Sequence, residues 1–261
     1  TIVWAKNYGI PFRSNLKFSD NQIFVSNQDN VIYSIDATTG NINWQFATGP
    51  TFLKSDFKNN FALDPINNNL FFLNTSGELY SINYRTQKFN WVLNFKNLAL
   101  VGETGLFLSQ PIVIKNNNLI VSTEETLLNY DMLTAQRRWA LSANPIFKPI
   151  ITADYTYVIL ENDLLICLDN ISGDVAWSKN IIKNIKNKKI KRNFNKIIDF
   201  KIVNSEINIY SKTGYLLSFN LSNGKLNHQS RISKSGINSE IVFLNGNMFF
   251  IDRKNRLLKF N

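Results

Sequence analysis

Tryptophan recurs along this chain at intervals typical of one kind of repeat. It stands at positions 4, 44, 91, 139 and 177, and His228 takes the equivalent place after the next interval. The separations run from 38 to 51 residues. Four short strands with their turns need about this much chain, which is the length of a β-propeller blade. No segment sustains the apolar spacing of a helical repeat, so the chain is predicted to be all-β.

Every interval has the same internal order of predicted strands. An inner strand comes first, two middle strands follow, and an outer strand carries the tryptophan, with Gly, Asn, Asp and Ser at the turns. We expect a six-bladed β-propeller of four-stranded blades, forming one domain over residues 1–261. The approximate blade bounds are 11–46, 60–94, 107–141, 148–179, 197–230 and 240–261 together with 1–5.

The first and last segments complement each other in this scheme. The sixth unit ends without a tryptophan-bearing strand, and the chain begins with one, Ile2–Ala5. A ring cut between blades leaves two open sheet edges, and a strand donated from the other end of the chain pairs them. We therefore predict that Ile2–Ala5 pairs into the last blade and closes the ring.

The same spacing of turn residues recurs before the outer strands of this chain. Asp36 ends a strand and can accept bonds from backbone amides, Gly40 can supply a positive φ, and Trp44 can pack between blades and donate its indole N–H. Gln87 and Ala135 stand where the glycine is missing, so those two turns are expected to differ. The full arrangement recurs at Asp169, Gly173 and Trp177.

The runs Val31–Trp44 and Leu165–Trp177 resemble the PQQ-like (quinoprotein-type) repeat family. The resemblance extends over the whole chain and is clearest in units one and four. It implies a propeller, and it leaves function open because this repeat serves both quinone-dependent dehydrogenases and non-catalytic scaffolds. The dehydrogenases are longer, usually eight-bladed, hold Ca²⁺ and the quinone, and often carry two adjacent cysteines.

The chain offers few groups for catalysis. Cys167 is the only cysteine and lies in an apolar run, where a small buried side chain is expected. His228 is the only histidine and stands at a tryptophan position. The acidic candidates have no spacing typical of a calcium loop. We predict no enzyme activity, no cofactor and no metal site. The acidic residues considered as calcium ligands are Glu103, Glu124, Glu125, Asp154, Glu161, Asp163 and Glu206.

The resemblance is closest to the non-catalytic, BamB-like branch of the family, although BamB-like proteins have eight blades. It implies a monomeric protein-binding scaffold in outer-membrane β-barrel assembly, whose partner is the periplasmic part of a barrel-assembly subunit. It also implies a periplasmic location, with a lipidated anchor upstream of Thr1. Two alternatives stay open: a small propeller that binds a quinone or a sugar, and a general protein-interaction propeller.

Two segments are candidate contact surfaces. Residues 95–107 are apolar where most connections are polar, which indicates either a contact site or a cap over the channel. Residues 179–196 are strongly basic and are expected to project as a loop or extended hairpin. They are either a solvated insertion or a contact for an acidic partner or anionic lipid. Nucleic acid is not expected, since Phe194 is the only aromatic there. The candidate contact residues are Leu98, Leu100, Phe107, Lys186, Lys188, Lys189, Lys191 and Arg192.

The whole chain is basic, with a formal net charge of +10. Asn, Ile, Lys and Phe are used heavily throughout. The sequence alone favours a compositional bias with solvated charges as the main source of this excess.

Overall fold

A computed structural model of the protein describes residues 1–49, 60–95, 109–123 and 125–260. Within these residues, strands form six antiparallel sheets, which confirms the all-β, six-bladed propeller class. Sheet one contains β1 Lys17–Ser19, β2 Gln22–Ser26, β3 Val31–Asp36 and β4 Ile42–Ala47. Sheet two contains β5 Asn60–Asp64, β6 Asn69–Leu73, β7 Glu78–Asn83 and β8 Lys88–Asn94. Sheet three contains β9 Val113–Lys115, β10 Asn118–Ser122, β11 Thr126–Asp131 and β12 Arg137–Ser142.

The remaining sheets follow in chain order. Sheet four contains β13 Ile150–Ile151, β14 Tyr155–Ile159, β15 Leu164–Asp169 and β16 Val175–Asn180. Sheet five contains β17 Ile197–Val203, β18 Glu206–Ser211, β19 Tyr215–Asn220 and β20 Leu226–Arg231. Sheet six contains β21 Val242–Leu244, β22 Asn247–Ile251 and β23 Leu257–Phe260. A short helix, α1 Lys188–Asn193, precedes sheet five.

The chain divides into two compact units. Unit 1 comprises residues 1–154 and 170–173, and unit 2 comprises 155–169 and 174–261. In unit 1 the inner strands β1, β5, β9 and β13 lie side by side in chain order, as successive blades require. Its core is formed by middle strands such as β6 and β10, which are buried along their whole length. Outer strands such as β4 and β12 instead alternate between covered and exposed residues.

A β-bulge fixes the place of each tryptophan in its sheet. Trp44 lies opposite Ser34, and the register shifts at the next residue pair, Ser34/Ile35. The other four complete sheets repeat this irregularity, and His228 lies opposite Ser218 at the same step. His228 therefore occupies the tryptophan position, as predicted. The equivalent pairs are Ser81–Trp91, Asn129–Trp139 and Cys167–Trp177.

The turns that lack glycine keep the conformation of those that have it, contrary to our expectation. Gln87 and Ala135 both have φ of 60°, against 70° for Gly40. The backbone amides of Gln87 and Ala135 each donate to the carbonyl four residues earlier, at 2.8 and 2.9 Å, as the Gly40 amide does at 2.8 Å. The side chain of Asp131 accepts two further amides in the manner predicted for Asp36. These polar bonds hold the turn even where the left-handed residue carries a Cβ.

Glycine is required where a tryptophan crosses the turn. A Cβ added to Gly173 would lie 2.5 Å from Cγ of Trp139, and one added to Gly40 would lie 2.7 Å from Cε3 of Trp4. Trp139 also donates its indole N–H to the Asn170 carbonyl at 3.0 Å. The tryptophan of one outer strand thus lies on the turn of the following sheet.

The prediction that Ile2–Ala5 pairs into the last blade is wrong for this structure. Residues 1–8 belong to no strand, and sheet six has three described strands. Trp4 is instead held on sheet one, where its indole N–H donates to the Ala37 carbonyl at 2.9 Å and Tyr8 donates to the Gly40 carbonyl at 2.8 Å. The side chains of Ile2 and Val3 are 82% exposed. The side-chain contacts of Trp4 and Tyr8 therefore anchor this segment without strand pairing.

The turn between β22 and β23 makes folding stability depend on acidity. The Arg256 guanidinium, 2.7 Å from the buried Asp252 carboxylate, together with the amides of Lys254 and Arg256, holds the pKa of Asp252 below its ordinary value of 3.8. A lowered folded-state pKa stabilises the protein above pH 3.8, and this contribution is lost as the pH falls through the folded-state value.

Asp252→Asn keeps an acceptor for the amides but removes the charge. We expect the variant to be less stable at pH 7, and the gap to wild type in urea unfolding to close below pH 3.8. A gap that is constant with pH would contradict this.

Candidate partner-binding surfaces

The basic segment connects sheets four and five and is a fixed structure. After β16 ends at Asn180, a turn leads to helix α1 and then to β17. Asn187 caps the helix, because its side chain accepts from the amides of Lys189 and Ile190 at 2.9 and 3.1 Å. The predicted loop or extended hairpin is therefore corrected to a turn followed by a short capped helix.

Apolar side chains attach this segment to unit 2. Ile181, Ile185 and Phe194 are 0, 3 and 6% exposed. The Thr213 hydroxyl donates to the Asn193 carbonyl at 2.7 Å, and the Lys212 amide donates to the Lys196 carbonyl at 2.9 Å. The turn between β18 and β19 thus holds the end of the helix, and the backbone is positioned before any partner binds.

The charged side chains of the segment point to solvent. The seven cations between residues 181 and 196 are exposed, whereas Lys179, which lies in β16 before this segment, is half-buried beside Gly224. No ion pair within the described residues involves any of them. Sequence reasoning located this cluster but missed its apolar anchor, because Ile181 and Ile185 lie in a turn, where burial leaves no periodic pattern. The exposed cations are Lys183, Lys186, Lys188, Lys189, Lys191, Arg192 and Lys196.

The apolar candidates Leu98, Leu100 and Phe107 lie outside the described residues. The preceding residue, Phe95, is packed in the core of unit 1. Phe95 is buried, packs edge-on against Tyr130 at 5.8 Å between ring centroids, and donates its amide to the Gly77 carbonyl. These contacts fix the point at which the apolar connection leaves sheet two.

The groups considered for catalysis are dispersed. Cys167 is 1% exposed, and burial raises the pKa of its thiol to about 11, which confirms its assignment as a small buried side chain. His228 is exposed on an outer strand. In the part of the chain that the structure describes, no three His, Cys, Asp or Glu residues are grouped so as to hold a metal ion. None of the helical residues described there forms a span long and apolar enough to cross a membrane.

The sequence matches one family model over residues 1–179, more than half of the chain. That family is described as outer membrane protein assembly factor BamB. The chain belongs to this family. The matched part contains sheets one to four and includes the apolar segment 95–107, whereas the cations from Lys183 to Lys196 lie beyond it. A comparison with curated proteins finds no match.

A solved structure of a BamB protein shares the fold. The crystal structure of BamB from Moraxella catarrhalis superposes with a TM-score of 0.69 at 14% identity, covering 98% of this chain and 71% of that one. A computationally designed protein, Ika8, superposes with a TM-score of 0.47 at 10% identity, covering 97% and 96%. At 14% identity, the likeness to the Moraxella catarrhalis BamB structure establishes the propeller fold of this chain.

Proposed function

We propose that the protein is a non-catalytic, protein-binding scaffold in the assembly of outer-membrane β-barrel proteins. The observation that carries this proposal is the family match over residues 1–179, supported by the fold shared with BamB across 98% of the chain. A periplasmic location, with attachment to the outer membrane through a lipidated N-terminal segment, belongs to the same proposal. So does its partner, the periplasmic part of a barrel-assembly subunit.

The distribution of reactive groups supports a scaffold. The only thiol is buried and has a raised pKa, so it is a poor nucleophile at neutral pH. The only imidazole is that of His228, which replaces a structural tryptophan on an exposed strand. A general base needs a positioned reaction partner, and the described residues around His228 supply no such constellation. The remaining candidates for a functional role are therefore the surfaces that can bind a partner.

The apolar segment is the proposed protein contact. Leu98, Leu100 and Phe107 are apolar residues in a connection between sheets two and three, and exposed apolar groups that cluster usually mark a contact with another protein. Phe95 and Gly77 secure the start of this connection on unit 1. Leucine and phenylalanine side chains suit the desolvated centre of a protein interface.

Charge introduced in that segment is expected to prevent partner binding. For Leu98→Asp combined with Leu100→Asp, we expect at least a tenfold loss of affinity for the periplasmic domains of the barrel-assembly subunit, because two carboxylates would have to be desolvated on binding. Isothermal titration calorimetry measures this loss, and an unchanged far-UV spectrum shows that the fold is kept. The matched control is Ile66→Asp with Leu133→Asp, two apolar residues that are 89 and 47% exposed elsewhere on unit 1. Equal binding by wild type and the Leu98/Leu100 variant would refute the proposal.

A further inference from the structure

The net charge of the protein is concentrated in one of its two units. Unit 2 contains 17 basic and 8 acidic residues, a net charge of +9, whereas unit 1 contains 12 and 11, a net charge of +1. A compositional bias would affect both units alike. The interpretation of the charge as mainly such a bias therefore does not account for its distribution.

Within unit 2 the excess is densest in the basic segment, residues 181–196. No acidic residue occurs between Asp174 and Asp199, and the seven exposed cations lie within 14 residues, from Lys183 to Lys196. Like charges that are held close together repel one another, which destabilises the fold unless a counter-charge binds. These cations are nevertheless held close together, because the segment is anchored by the buried side chains of Ile181, Ile185 and Phe194. The arrangement is thus suited to an anionic partner.

The composition of the surface discriminates between classes of partner. Protein interfaces are centred on aromatic and apolar anchors and are depleted in lysine. The basic segment has six lysines among its seven exposed cations, its only aromatic, Phe194, is buried, and Ile182 and Ile190 are half-buried. The buried Phe194 likewise removes the stacking platform that single-stranded nucleic acid requires. Flexible, hydrated lysine ammonium groups are instead suited to a diffuse layer of phosphates.

We propose that the basic segment is a peripheral docking surface for the phosphate headgroups of an anionic lipid bilayer. The contact is electrostatic, because no fully exposed apolar side chain in the segment is available to insert into the bilayer. It goes beyond the proposed protein-binding role and does not depend on it. It also lies outside the residues matched by the family model, so it is a property of this chain's own sequence.

The test compares vesicles of phosphatidylcholine alone with vesicles that contain about 30% phosphatidylglycerol, by sedimentation at 0.1 M salt. We expect wild type to bind the anionic vesicles at least 50-fold more strongly and to be released at about 0.5 M salt, where the Debye length is well below that at 0.1 M. Each lysine near such a surface contributes a factor of about five in binding. Neutralising five cations should therefore weaken binding at least 50-fold, allowing for incomplete contact. The changes are Lys186→Gln, Lys188→Gln, Lys189→Gln, Lys191→Gln and Arg192→Gln.

A control with the same net charge separates this surface from the general charge of the protein. It carries five changes at exposed cations outside the basic segment, and it should keep binding within about threefold of wild type, since it loses the same total charge while the segment itself is unchanged. These changes are Lys88→Gln, Lys115→Gln, Arg137→Gln, Lys225→Gln and Lys254→Gln.

Three outcomes would overturn the proposal. The first is equal binding of wild type to both kinds of vesicle. The second is an equal loss in both quintuple variants. The third is a segment variant that keeps vesicle binding but loses affinity for the barrel-assembly subunit, which would identify an acidic protein as the partner. Because all five side chains are exposed and the cap Asn187 is kept, the far-UV spectrum should not change.

Discussion

Gly173→Ala is expected to lower the free energy of unfolding by about 3 kcal/mol. The residue has φ of 78°, which is unfavourable for alanine, and its added Cβ would lie 2.5 Å from Cγ of Trp139. The tryptophan cannot move away, because it lies in β12 opposite Asn129 and donates its indole N–H to Asn170. Backbone strain and overpacking therefore both contribute.

The opposite substitution in the neighbouring turn serves as the control. Ala135 has φ of 60° with its Cβ already accommodated, so Ala135→Gly should relieve strain and raise the free energy of unfolding by about 0.5 to 1 kcal/mol. Urea unfolding followed by tryptophan fluorescence and far-UV circular dichroism measures both variants. Similar small effects of both substitutions would show that Trp139 does not lie on the Gly173 turn in solution.

These two turns also show how far the repeat could be read from sequence. The positions of the tryptophans in the outer strands were predictable, since one bulge places Trp44, Trp139 and even His228 at the same step of their sheets. The conformation at Gln87 and Ala135 was not predicted, because a missing glycine suggests a different turn. Amide bonds to Asn83 and Asp131 retain the same conformation there. In this protein the polar side chain that accepts the amides outweighs the backbone preference of the left-handed residue.

The basic segment was predictable in its place along the chain but not in its conformation. A run of lysines indicates exposure in any conformation, so its position in the chain follows from composition alone. Its shape depends on contacts from residues distant in sequence, such as Thr213 with Asn193 and Asp163 with Ile181. Single-sequence patterns carry no information about such pairs. For the same reason, a strand-like pattern at Ile2–Ala5 could not reveal that its tryptophan docks on sheet one.

The two surfaces differ in chemistry and belong to different units. The apolar segment around Leu98 and Leu100 follows sheet two in unit 1, which is almost neutral. The basic segment around α1 belongs to unit 2, which carries nearly all the net charge. An apolar contact gives affinity through desolvation, whereas a diffuse basic surface gives orientation and rapid association. The two proposals together assign protein binding to unit 1 and phosphate binding to unit 2.

Trp4→Ala is expected to lower the free energy of unfolding by about 2 kcal/mol, less than a fully buried tryptophan would cost. Trp4 is half-buried, lies over Gly40, and donates its indole N–H to Ala37. Gly40→Ala should lower the free energy of unfolding by about the same amount, which is less than the loss expected for Gly173→Ala. Residues 1–8 are in no strand, so Trp4 can leave the turn when a Cβ is added, and the loss cannot greatly exceed the value of its contact plus the strain at φ of 70°.

The two substitutions should therefore not be additive. Once Trp4 is replaced, Gly40→Ala is expected to cost only the backbone strain, about 1 kcal/mol, which leaves a coupling of about 1 kcal/mol in a double-mutant cycle of urea unfolding. The pair Gly9→Ala and Trp4→Ala is the control, because a Cβ at Gly9 would meet nothing within 4 Å and should not couple to Trp4. Additivity between Trp4 and Gly40 would mean that the N-terminal segment rests elsewhere, the open edge of β23 being the first place to look. Coupling would establish that Trp4 takes on the turn at Gly40 the place that Trp139 takes on the turn at Gly173, so that a side chain alone, without strand pairing, supplies this contact.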